Sequence, residues 1–95
     1  MPPFGYETFQ ALTGRPVTLR ASGKRCSGAL ASVTLLTRHA GHGRQPFSLL
    51  IVTDSLDALP QQIFSVEFEG REPVEIFLVP IGPRDGGMGY EAVFS

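Results

Sequence analysis

The chain's one cysteine lies in Lys24-Arg25-Cys26-Ser27. Neighbouring positive charge lowers a thiol pKa and favours the nucleophilic thiolate. A nucleophilic mechanism would also need a base, for which the chain offers His39 and His42. A lone cysteine among solvated basic residues is equally an ordinary surface feature, and one Cys with a His elsewhere is a weak signature. His39 and His42 would share a face in a helix, but Gly41 and Gly43 argue for a loop. Two imidazoles also fall short of the three or four ligands of a zinc site. Gly86-Gly87-Met88-Gly89 lacks the Lys-Ser/Thr ending and the following helix of a phosphate loop, and reads as hairpin geometry. Tyr90 and Glu91 are successive residues of a strand, so they face opposite ways and cannot act on one substrate atom. These residues therefore predict no catalytic site, no metal and no cofactor, and the chain is read as non-enzymatic.

Charge is the stronger signal. The 95 residues carry 8 Lys and Arg against 9 Asp and Glu, a net charge of −1. Its distribution is polar: residues 1–45 hold six basic residues against Glu7 alone, a net of +5, and residues 46–95 hold two against eight acids, a net of −6. One reading pairs basic strands with acidic strands inside one sheet. The other is a two-poled surface that stacks head to tail. Arg20, Lys24, Arg25, Arg38 and Arg44 could serve nucleic acid, but single-strand binding wants aromatic side chains interleaved with the basic ones. Here the aromatic residues lie mostly in the acidic half, so nucleic acid is not the expected partner.

The elements that would position these residues follow from spacing. Tyr6, Phe9 and Leu12 recur at helical intervals before Gly14, predicting a turn or two of helix that plugs an end of the β structure. Val17, Leu19 and Ala21 alternate with Thr18 and Arg20, which predicts a strand; residues 22–28 read as a basic, glycine-bounded turn. A second strand is expected over 29–37, and a polar loop over 38–46 is the first place to look for binding. Phe47, Leu49 and Ile51 share one strand face and Leu50 and Val52 the other. Residues 54–60 read as a connection with a helical turn, and Phe64, Val66 and Phe68 as the inner face of a half-exposed strand. The run 74–80 is apolar on both faces except at Glu75, which predicts a strand covered from both sides. Pro80, Gly82 and Pro83 end it, residues 84–89 form a flexible reversal, and Tyr90, Ala92 and Phe94 line the last strand.

Together these predict a mainly β, single domain, with a lead-in and helix over 1–14 and a β core over 15–95. The expected architecture is a small antiparallel six-stranded barrel or sandwich. With one cysteine, no signal-peptide pattern and no run long enough to span a membrane, the expected location is the cytoplasm, with no membrane partner.

Four stretches, Pro46-Phe47-Ser48-Leu49-Leu50, Leu59-Pro60-Gln61-Gln62-Ile63-Phe64, Phe77-Leu78-Val79-Pro80 and Tyr90-Glu91-Ala92-Val93-Phe94, carry a resemblance. They resemble a family of short bacterial proteins classed only as a domain of unknown function. The resemblance implies a small β domain without assigned catalytic residues. It also implies company with phage-tail-collar-like proteins, hence a structural or accessory role in a tail-like or surface fibre assembly. The expected function is thus an interaction module that self-associates or meets a protein partner. Its second apolar face would be Leu50, Val52, Phe77 and Val79. The alternative is a small ligand- or nucleic-acid-binding barrel using Lys24 and Arg25 with Arg38, His39, His42 and Arg44 of the 38–46 loop.

Overall fold

Six runs of alternating apolar residues become six strands in the computed structural model, which describes residues 5–36 and 46–94. A short helix α1 (Tyr6–Ala11) precedes β1 (Pro16–Ala21), β2 (Lys24–Leu35), β3 (Phe47–Thr53), β4 (Gln62–Phe68), β5 (Val74–Arg84) and β6 (Gly87–Phe94). The strands close into an antiparallel barrel in the order β1-β2-β3-β6-β5-β4, so the fold is the barrel and not the sandwich. Closure removes the free edges of an open sheet, and the period of two sends alternate side chains inside. Leu19, Leu30, Ile51, Phe64, Val66 and Leu78 are among those wholly withdrawn from solvent.

α1 is too short to persist alone. It stays because Phe9, 1% exposed, caps the barrel end and packs on the rings of Phe47, Phe68 and Phe94 at centroid distances of 6.0, 5.8 and 5.5 Å. Phe47 and Phe94 stack beneath it at 4.9 Å. The helical spacing of Tyr6, Phe9 and Leu12 thus predicts the plug as observed.

Four local expectations change. The basic turn over 22–28 shrinks to Ser22-Gly23, with φ of 55° and 72°, closed by the pair Ala21↔Lys24. Two positive φ values make the primed turn whose twist matches a hairpin, so Lys24, Arg25 and Cys26 already belong to β2. The reversal over 84–89 likewise reduces to Asp85-Gly86. Pro80 and Pro83 do not end β5: beyond Gln62↔Leu78 the strand has left β4 and a register shift lies between Pro80 and Gly82, positions where a missing N–H costs no ladder bond. Residues 54–60 form no helix. They take no regular structure and are tied to β6, with the Leu59 N–H donating to Tyr90 Oη at 3.0 Å and the Met88 N–H to the Ser55 carbonyl at 2.9 Å.

The largest change concerns β5. Ile76 and Leu78 face the core, yet Phe77 is 51% exposed and Glu75 is exposed. No layer covers the outer face of this strand among the described residues. A barrel closed by one sheet encloses only the inward side, so apolar residues on both faces here mean a core face and an open one.

Candidate functional site

The open apolar face has a geometry fixed by the ladders. Ile63 of β4 lies directly across from Phe77 of β5. The β5–β6 ladder runs from Arg84↔Gly87 down to Val79↔Glu91 and stops there. Below it, β5 pairs only with β4, as far as Val66↔Val74, and β6 only with β3, as far as Phe47↔Phe94. Each strand is held by its other neighbour, so the two part and leave a cleft of about 370 Å³. Phe77, Val79, Val93 and Phe94 line it, together with the carboxylates of Glu75 and Glu91, over Ile76 and Ala92.

Three large apolar side chains stand open around this cleft: Ile63 at 60%, Phe77 at 51% and Val93 at 61% exposure. Glu91 sits between Val79 on β5 and Leu50 on β3, its direct partners across the two ladders. Neither Glu75 nor Glu91 forms an ion pair among the described residues. A half-buried carboxylate between aliphatic side chains, without a cation, is a group that gains from an incoming one.

Of the expected contact residues, Leu50, Phe77 and Val79 come together on this wall. Val52 lies further along β3, opposite Gly89. Lys24 and Arg25 do not join them: β2 is three places from β5 around the six-strand ring, on the far side. Arg38, His39, His42 and Arg44 lie outside the described residues. Ile63 and Val93 escaped the sequence reading, although each left a signal. Both are apolar residues out of phase with the inward set of their own strand, Phe64, Val66 and Phe68 for one and Tyr90 and Ala92 for the other.

On the basic side, Arg20 pairs with Glu67 of β4 at 3.1 Å, which is the cross-strand neutralisation that the charge pattern suggests. Both partners are more than 40% exposed, so the pair contributes little. Arg25 stands directly opposite Arg20, on the same outer face. Neither Lys24 nor Arg25 forms an ion pair among the described residues.

The other chemical candidates dissolve in the geometry. Cys26 turns inward opposite Leu19, and burial, with a further contribution from the Asp54 carboxylate, raises its thiol pKa. That reverses the expectation from its basic neighbours, because alternation places Arg25 on the other face. Tyr90 is wholly buried while Glu91 faces out, as their adjacency requires. A second depression, about 460 Å³, brings Asp54 and Asp85 near Thr53. Among the described residues no group of three or more His, Cys, Asp or Glu could hold a metal ion. None of their helices is long and apolar enough to cross a membrane.

Residues 4–94 match the family described as Domain of unknown function (DUF6916), and the chain belongs to it. Neither a curated protein nor a solved structure matches the chain.

Proposed function

We propose that this member of the DUF6916 family is a non-enzymatic contact module, a structural or accessory part of a larger bacterial assembly of the tail-like or surface-fibre kind. It meets other protein through the outer wall of β4, β5 and β6. The carrying observation is the contiguity of Ile63, Phe77 and Val93, all more than half exposed, around a cleft at the point where β5 and β6 part. Scattered apolar residues on a surface need no explanation, whereas a contiguous cluster rimmed by polar groups marks an interaction surface. Covering a large apolar side chain contributes about 1.5–3 kcal/mol, so this wall supplies the centre of an interface, with Glu75 and Glu91 as its polar part.

The test is solution mass by light scattering after size exclusion, over a wide concentration series. The wild-type chain should rise above the monomer value as concentration increases. The double variant Phe77→Ser with Val93→Ser should remain a monomer with an unchanged fold. A wild type that stays monomeric up to millimolar concentration would count against the reading.

A further inference from the structure

We infer that the occupant of this wall is the basic β1–β2 face of a second copy of the chain, with Arg25 entering the cleft between Glu75 and Glu91. The inference rests on the wall being a protein-contact surface and names what meets it. Two unmatched charge sets carry it. On the outer face of β1 and β2, Arg25 is set directly against Arg20 with no carboxylate on either strand, while Lys24, paired with Ala21 on the alternate face, stands exposed at the end of the barrel beside the turn. Like charges directly opposite in a ladder are destabilising, and among the described residues Glu67 pairs with Arg20 and not with Arg25. On the wall, Glu75 and Glu91 line an apolar cleft with no ion-pair partner among the described residues. Each face holds the charge the other lacks.

The ring order places these faces where they can be joined. In β1-β2-β3-β6-β5-β4, β2 lies opposite β5 and β1 opposite β6. The basic face of one copy can therefore sit on the wall of the next while its own wall stays free for a third. Such a head-to-tail contact is heterologous and builds a ring or an open filament. An arginine suits the cleft chemically: its aliphatic stem lies along Val79, its guanidinium stacks on the open face of Phe77, and its donors reach the two carboxylates.

The experiment follows solution mass at low and at high salt for the wild type and two charge reversals. One reversal is Glu75→Lys with Glu91→Lys, the other Lys24→Glu with Arg25→Glu. Thermal melts check that both remain folded. The wild type should associate at low salt and weaken as salt screens the contact. Each reversal alone sets like charges against each other and should associate about tenfold or more weakly. A 1:1 mixture should recover wild-type mass, since each altered face then finds its complement on the other variant. Wild-type association by either reversal alone, no recovery in the mixture, or indifference to salt would each overturn the inference. If Phe77→Ser abolishes association while the reversals do not alter it, the contact wall stands and the basic face is not its occupant. A wild type monomeric throughout overturns both.

Discussion

The β5–β6 hairpin that carries the contact wall is seated by one glycine, and replacing it tests how the barrel is held. Gly87 opens β6 and is buried. A Cβ added there would fall on the Thr53 carbonyl oxygen and lie 2.7 Å from the carbonyl carbon. That obstacle is backbone, not a side chain that can swing aside, and both flanks hold it: Thr53 pairs with Gly28, and Val52 with Gly89. Gly87→Ala must therefore displace the start of β6. The Met88 N–H donates to the Ser55 carbonyl at 2.9 Å and meets Thr53 Oγ1 at 3.3 Å, so both contacts are strained or lost. Overpacking costs about 1–3 kcal/mol and each lost hydrogen bond about 1 kcal/mol, for a total of ~3–5 kcal/mol. At ~4–8 °C per kcal/mol for a domain of this size, Tm should fall by about 12–40 °C. Gly86→Ala is the control, because its Cβ would meet nothing within 4 Å and only its φ of +86° is unfavourable. It should cost about 1–2 kcal/mol. Thermal unfolding followed by circular dichroism separates the two. A Gly87→Ala protein melting within ~5 °C of wild type, or one no less stable than Gly86→Ala, would refute the steric argument.

Two further outcomes follow. Tyr90→Phe removes the acceptor of the Leu59 N–H, leaving a partly buried donor unmet, and should lower stability by about 1–3 kcal/mol in urea unfolding while leaving the far-ultraviolet spectrum unchanged; a shift in midpoint too small to resolve would mean that water replaces the phenol. Cys26, its thiol pKa raised by burial and then by Asp54, should alkylate more slowly at pH 8 than a free cysteine, with a rate that rises at higher pH than the free thiol's. The sign for stability is negative: because the unfolded thiol ionises first, stability should decline as pH climbs through the unfolded thiol's pKa, and a Cys26→Ser variant should lose that part of the alkaline decline.

Much of the architecture was legible because burial in a strand has a period of two. Val17 and Leu19, Phe47 to Ile51, Phe64 to Phe68 and Tyr90 to Phe94 each alternate in sequence, and each sends the expected residues inward. Turn boundaries were less legible: Gly28 reads as a turn residue but lies in β2, where a Cβ would collide with the backbone of Val52 and Thr53. That constraint exists only once β3 has been laid beside β2. The prolines of β5 mislead for the same reason, since whether a missing N–H matters depends on which edge still has a neighbour.

The contact wall shows the division most sharply. Sequence alone determined that β3 and β5 have apolar residues on both faces and that the two halves of the chain carry opposite charge, since alternation and charge are local properties. Only the tertiary structure decided which apolar face is enclosed, that Ile63 and Val93 join Phe77 on the open one, and that Arg25 stands across the ring from Glu75, with Glu91 on the strand beside it. The physical reason is closure: a single sheet curled on itself can enclose one face only, and strand order then sets which outward side chains are neighbours and which are opposed.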